Sequence, residues 1–362
     1  VKQRYSILLG SGSYLPTRII NNEDFGEHTF YDQQGVRLDK ANQEIIRQFE
    51  KITGIRERRY VTDELVTSDI AFFAAKEALA SSNIDGESLD YIIIAHNFGD
   101  VSAVNPQSEL VPSLASRVKQ HLGITNPNTI AYDLPFGCAG WLQGVIQADF
   151  YIRSGDAAKV MVIGAETLSR ICDPHDRDSM IYSDGAGAVI LGVTESEVPV
   201  GILAHCTRSY SHELAYLLKM GRSYNPDYDG NRLFLKMQGR KLYEHALTIV
   251  PAVIKACLAK AGLVIDDMDK LLIHQANNKM DEAILRNLYS LYKQKDIPAD
   301  VMPMTIARLG NSSVATLPTL YDLLIKGKMA GHTVGEGDMI AFVAVGAGVN
   351  VNAVIYKIHE PA

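Results

Sequence analysis

Cys138 stands in "DLPFGCAGWLQG" (residues 133–144), with Gly137 before it and Ala139 and Gly140 after it, at what reads as a strand-to-helix turn. A thiol at a helix start faces unpaired backbone N–H groups and the positive end of the helix dipole. Both favour the nucleophilic thiolate and suit a developing oxyanion. Free cysteine is also among the most buried residue types, so the local context reads equally as a nucleophile and as a packing thiol. His274 closes the apolar run "KLLI" ahead of "QANN"; it reads as a proton donor or acceptor, or as a satisfied loop residue. Asn311, in "RLGNSSVATLPTL", precedes a helical pattern where an ordinary N-cap serves as well as a catalytic amide. Cys172, Cys206 and Cys257 read as packing thiols, with no CxxC and no metal-ligand spacing.

Apolar, β-branched runs ("YSILLG", "YIIIAHN", "KVMVIGAE", "GAVILGV", "KLLIHQAN", "MIAFVAVGAG", "NAVIYKI") alternate with segments of helical period. That alternation predicts an α/β fold with sheets buried on both faces. The chain also repeats itself. "KEALASSNIDGESLDYIIIAHN" is echoed by "KACLAKAGLVIDDMDKLLIHQAN", and "GCAGWLQGVIQADF" with its following strand by "GNSSVATLPTLYDLL" with its own, in the same order. We infer a duplicated unit: residues 1–195 carrying the thiol, residues 236–362 carrying the histidine and asparagine, and a polar, tyrosine-rich linker at 196–235. Duplication places Asn311 where Cys138 stands in the first half, and brings both helix starts to one cleft between the halves. "GSGSYLP" lacks the third glycine of a dinucleotide fingerprint and reads as a plain turn. "DPHDRDSMIYSDGAGA" reads as a solvated charged loop running into a strand.

The 362 residues are 47% hydrophobic and 21% charged, with a net charge of −7. This is globular composition, and the charge gives no support to nucleic-acid binding. Sparse cysteine, an opening without an apolar signal-like stretch, and glycine breaks in the longest apolar region predict a soluble cytoplasmic protein with no membrane span.

"DLPFGCAGW", "CDPHDR", "SDGAGAVIL", "HQAN" and "LGNSSVATLP", in this order, resemble β-ketoacyl-acyl-carrier-protein synthase III, a thiolase-fold condensing enzyme. "GSGSYLP" and "TGIRERRY" match its amino-terminal segments, so the resemblance spans nearly the whole chain. Asparagine in third place after cysteine and histidine selects the type III branch over siblings with Cys-His-His or Cys-His-Cys. The resemblance implies a thiolase-like fold of two pseudo-symmetric α/β halves in five layers, αβαβα. It implies that Cys138 takes an acyl primer from acyl-CoA, with the N–H groups of Cys138 and Ala347 as oxyanion hole. His274 and Asn311 would then donate to the thioester carbonyl of malonyl-acyl carrier protein, which condenses with loss of CO2 to initiate fatty-acid synthesis. Arg177 matches a CoA-contacting position, and Lys279 a carrier-protein docking position, joined in a basic patch by Arg286, Lys236, Arg240 and Lys241. No metal or redox cofactor is implied; a homodimer is. The same chemistry in a specialised pathway (alkyl-resorcinol, polyene or quinolone-like product), or acyl transfer to an alcohol or amine, is the alternative reading. The departures are Gln48 in place of the usual adenine-stacking tryptophan, Ala347 within the carboxy-terminal glycine run, and long segments at 97–113 and 205–235.

Overall fold

"QRYSILLGSGSY" forms one strand, β1 (Gln3–Tyr14), that runs straight through the glycines expected to turn. Gly10 and Gly12 serve the helix packed above them. A Cβ on Gly12 would lie 2.4 Å from the Ala74 carbonyl oxygen, and one on Gly10 2.5 Å from Ser82 Cβ, so no larger residue fits. The computed structural model describes residues 2–359.

After β1 come β2 (Arg18–Asn21), α1 (Asn42–Thr53) and β3 (Glu57–Tyr60), with β2 and β3 paired as a small antiparallel ribbon. α2 (Thr67–Ser82), β4 (Tyr91–Ala95), α3 (Leu114–His121), β5 (Ile130–Leu134), α4 (Gly140–Ser154), β6 (Lys159–Thr167) and β7 (Asp184–Ser196) complete the first half. Its sheet has the order β1-β7-β6-β4-β5. The second half contains β8 (Gly201–Ser209), α5 (Ser211–Leu214), β9 (Leu218–Gly221), β10 (Phe234–Met237), α6 (Gly239–Lys260), β11 (Lys270–Ile273) and α7 (Asn278–Ser290). α8 (Ile306–Leu309), α9 (Thr316–Ile325), β12 (Met339–Gly346) and β13 (Asn350–Lys357) follow. Its main sheet reads β11-β12-β13-β8, and β9 pairs β10 apart from it.

The two sheets repeat one topology. β4 and β6 are parallel, β6 and β7 antiparallel, β7 and β1 antiparallel; β11, β12, β13 and β8 follow the same pattern. Segment 196–235 is therefore more than a linker, because residues 201–209 are β8, the edge strand of the second sheet. Burial of both sheet faces requires helices on each side. Trp141 and Val145 of α4 and Leu317 and Leu320 of α9 share one core with Val162 and Phe342 from the two sheets. α2 and α3 cover the outer face of the first sheet, and α6 and α7 that of the second. The result is the five-layered αβαβα arrangement. α6 alone among the described residues has the length and hydropathy of a membrane span, yet Val250, Ile254 and Leu258 on it are buried against the second sheet.

Candidate active site

Cys138 lies in the one-turn 3-10 helix Gly137–Ala139 that links β5 to α4. The turn is held by backbone-to-backbone packing against the end of β12. A Cβ on Gly137, whose φ is +59°, would fall 2.4 Å from the Ala347 nitrogen; one on Gly346 would fall 2.4 Å from the Cys138 nitrogen. Two glycines thus set the N–H groups of Cys138 and Ala347 side by side, a contact that any side chain would break. Trp141, adjacent in sequence, turns away into the core and donates to the Val162 carbonyl.

His274 follows β11, with its N–H donating to the Val343 carbonyl at 2.8 Å. Its neighbour Gln275 is fully buried and anchors the turn by accepting from the N–H groups of Thr305 and Ile306 and donating to the Pro303 carbonyl. Asn311 is pinned against residues 181–183: its N–H donates to the Ile181 carbonyl and its own carbonyl accepts from Ser183. Its Oδ1 accepts from the Ser313 N–H at 2.8 Å, which leaves the amide NH2 as the donating end. Asn311 is not the positional twin of Cys138. Cys138 stands two residues before α4 begins at Gly140, and Asn311 five before α9 begins at Thr316.

Ser313, which the sequence reading passes over, ties these groups together. Its hydroxyl donates to Cys138 Sγ at 3.3 Å, and its N–H engages Asn311. Its backbone is also the polar group that faces His274. It holds φ at +53°, a left-handed conformation rare for a non-glycine residue. A single serine in a strained backbone thus touches the nucleophile, the amide and the imidazole. The only advance signal was its place in the echo of the first half's glycine turn.

The electrostatics correct one expectation. Burial, with Glu166 adding to it, pushes the Cys138 thiol up to about 11, against the opposing pull of the Ser313 hydroxyl and its own N–H. The resting group is a thiol, not the thiolate that a helix start alone would favour; removal of sulfur from water outweighs the N–H groups. Burial raises Glu166 to about 7, while His96 and Asn97 pull it down; Asn97 donates to its Oε1 at 2.6 Å. Burial lowers His274 to about 4, so the imidazole is neutral at pH 7. A neutral imidazole and a primary amide are hydrogen-bond donors that carry no charge of their own.

Cys138, His274, Asn311, Ser313 and Ala347 line one cavity of about 230 Å³, whose remaining wall is mostly apolar (Phe98, Leu168, Leu218, Leu235). A second cavity of about 610 Å³ lies outward of it and shares Met237, Leu242, Ala276 and Met280 as a common wall. Arg177 and Gln48 line the outer cavity, the Arg177 side chain 61% exposed. Lys279 is exposed on the first turn of α7. Of the four cations expected around it, Lys241 is exposed, and Lys236, Arg240 and Arg286 are engaged with carboxylates. Lys236 is buried, paired with Asp173 and Asp176 and stacked over Tyr224. Arg240 pairs with Glu244, and Arg286 with Glu282, each along its own helix. The loop read as solvated is for the same reason internal, with Asp173, Asp176 and Asp184 all buried. No cluster of side chains suited to a metal ion occurs among the described residues.

Residues 132–210 match the 3-oxoacyl-[acyl-carrier-protein] synthase III family, and residues 258–358 match its C-terminal region. The chain is 31% identical over 348 residues to the β-ketoacyl-[acyl-carrier-protein] synthase III of Xanthomonas campestris pv. campestris, covering 96% of each. Among solved structures, 3-oxoacyl-[acyl-carrier-protein] synthase III from Aquifex aeolicus VF5 is 31% identical with a TM-score of 0.77, over 98% of this chain and 100% of that one. The Thermus thermophilus enzyme is 28% identical with a TM-score of 0.80, at the same coverage. Similarity of this extent in sequence, together with the shared five-layered fold, means that this chain belongs to the 3-oxoacyl-[acyl-carrier-protein] synthase III family of thiolase-fold condensing acyltransferases.

Proposed function

We propose that Cys138 accepts an acyl primer from acyl-CoA and that the acyl-enzyme then condenses with malonyl-acyl carrier protein, initiating fatty-acid synthesis. The observation that carries this reading is the convergence of Cys138, His274 and Asn311 on one mostly apolar cavity, which shares a wall with a larger cavity lined by Arg177. In the first step the thiol adds to the primer carbonyl. The N–H groups of Cys138 and Ala347 hold the oxyanion, and CoA leaves as its thiol, carrying the proton. In the second step the malonyl carboxylate departs as CO2, leaving an enolate whose oxygen accepts hydrogen bonds from neutral His274 and the Asn311 amide. The enolate carbon attacks the acyl-Cys138 carbonyl. The collapsing adduct releases 3-oxoacyl-carrier protein and a Cys138 thiolate, which takes up one proton.

Two features support this order. An apolar site disfavours the malonyl carboxylate and favours its loss as neutral CO2. A thiol raised to about 11 is released as a strongly basic thiolate that reprotonates at once, resetting the site. Loss of CO2 drives carbon–carbon bond formation, so the reaction as proposed uses no metal or redox cofactor. Arg177 at the outer cavity holds the CoA nucleotide in this reading, and Lys279 contributes to carrier-protein docking. The protein works as a cytoplasmic homodimer. Intact-protein mass spectrometry after incubation with a panel of acyl-CoAs tests the first step: one acyl adduct is expected, absent in Cys138→Ala. An adduct that persists in Cys138→Ala overturns the assignment.

A further inference from the structure

β9 and β10 form a two-stranded sheet of their own, apart from both main sheets. An isolated hairpin is marginal at best, so groups outside it must hold it in place. Its position matters to the site. Leu218, Met220, Leu235 and Met237 all line the catalytic cavity, and they stand opposite one another in register, Leu218 with Met237 and Met220 with Leu235. One face of the hairpin is thus an apolar wall of the cavity that holds the thiol.

Successive residues of a strand point to opposite faces, and the residue between Leu235 and Met237 is Lys236. It is 4% exposed. Its ammonium pairs with Asp173 and Asp176 and lies 3.3 Å from the centre of the Tyr224 ring. The opposite strand leaves room for its stem: a Cβ on Gly221 would fall 3.1 Å from Lys236 Cγ. Asp173 also accepts from the Ser223 hydroxyl at 2.9 Å and the Tyr224 N–H at 2.8 Å, both in the loop between β9 and β10. On its own side, Asp173 accepts from the His175 N–H and Asp176 from the Asp178 N–H, each at 3.0 Å. Arg177, on the outer cavity, lies within those two turns. The Leu235 N–H donates to the Ile171 carbonyl at 3.0 Å, so strand and loop share a backbone bond as well as the charges.

We propose that Lys236 is a positioning residue for primer selection. Gripped from behind by Asp173 and Asp176, it fixes the wall made by Leu218, Met220, Leu235 and Met237, and the same carboxylates fix the loop that presents Arg177. The inference rests on the acyl-loading function proposed above, and adds what makes the primer cavity rigid. Energetics is the first argument. A buried ion pair costs the desolvation of its partners, and an apolar side chain of similar volume is often as good for stability. What the charges add here is direction: an ammonium held by two carboxylates and a ring cannot slide along its neighbours as a methionine can. Placement is the second. The cluster backs the very strand whose other face meets the substrate, so any shift of Lys236 passes to Leu235 and Met237 on either side of it. An apolar pocket discriminates one methylene by about tenfold or more, and only while its walls stay close-packed.

The test labels Cys138 with N-ethylmaleimide, N-hexylmaleimide and iodoacetamide, followed by peptide mass, and in parallel loads it from acyl-CoAs of increasing length. Lys236→Met is compared with the wild type and with the neutral triple variant Lys236→Met/Asp173→Asn/Asp176→Asn, which leaves no buried carboxylate unpaired. In both variants the rate ratio between N-ethylmaleimide and N-hexylmaleimide should fall about tenfold, as should the preference for the best primer over one two carbons longer. KM for acyl-CoA should rise, and iodoacetamide, too small to need the wall, should react at the wild-type rate. A folded variant that keeps the wild-type ratios overturns the proposal. So does an equal loss of rate with all three probes, which would mean general damage to the site. If Lys236→Met does not fold, the triple variant decides; should that also fail to fold, the cluster holds the fold rather than the wall, and the proposal is overturned. The maleimide ratios are read without acyl-CoA, so a wild type that loads no acyl group counts against the function proposed above and not against the wall.

Discussion

Ser313→Ala removes the hydroxyl that donates to Cys138 Sγ at 3.3 Å while keeping the N–H that positions Asn311. Hydrogen bonds to charged groups contribute about 1.5–3 kcal/mol, and sulfur is a weak, distant acceptor, so we take roughly 1.4 kcal/mol, or about one pKa unit. The thiol already stands at about 11 and moves up from there. At pH 8 the thiolate fraction then falls about tenfold. A more basic thiolate is also a better nucleophile, with a Brønsted slope of about 0.4–0.5, which restores roughly threefold. The net expectation is a three- to fourfold slower alkylation of Cys138 at pH 8, with the midpoint of the pH profile raised by about one unit. The assay is the rate of iodoacetamide labelling at Cys138, followed by intact mass across the alkaline range. Ser313→Gly should show the same shift but be more stable than Ser313→Ala by about 1 kcal/mol, because glycine adopts φ +53° without strain. A midpoint that stays put or moves down in both variants refutes the role given to the hydroxyl.

Glu166→Gln removes a negative charge that raises the thiol, so its alkylation midpoint should fall below the wild-type value of about 11. The same carboxyl, raised to about 7 from an ordinary 4.5, contributes stability below pH 4.5 that is lost as pH rises through 7. Chemical denaturation at pH 5 and pH 8 should show that loss in the wild type and not in Glu166→Gln; equal losses would contradict it. Gly346→Ala places a Cβ 2.4 Å from the Cys138 nitrogen, so the two backbones must separate. Single-turnover acylation should drop on the order of 100-fold as the oxyanion donors part, and wild-type rates would show that their spacing is not set there.

Chemistry-bearing residues were legible where the backbone itself demands their neighbours. Gly137 beside Cys138 is dictated by the close approach of Ala347, and small residues around a lone thiol expose that demand in sequence. The echo between halves was legible too, since α2–β4 and α6–β11 are the same unit used twice, although it misplaced Asn311 by three residues relative to its helix. β8 was hidden because its partner β13 lies about 150 residues further on, and no local pattern reports a pairing that distant. Lys236 misleads because a lysine looks solvated in sequence, whereas Asp173 and Asp176 enclose it. The resting state of Cys138 is hidden for a related reason: a helix start is visible in sequence, and the depth at which it is buried is not. Ser313 is silent in sequence apart from its place in the echo, because its role depends on a positive φ that no serine announces.

The central claim is that one cavity both loads and condenses. The most direct test adds malonyl-carrier protein to enzyme preloaded with an acyl group on Cys138 and follows adduct mass, CO2 and product in one time course. The account predicts that the adduct disappears in step with CO2 release and a 3-oxoacyl-carrier protein, and that His274→Ala loads normally but holds its adduct. An adduct removed only by water or an amine, or a His274→Ala enzyme that fails to load yet still releases CO2, would contradict it.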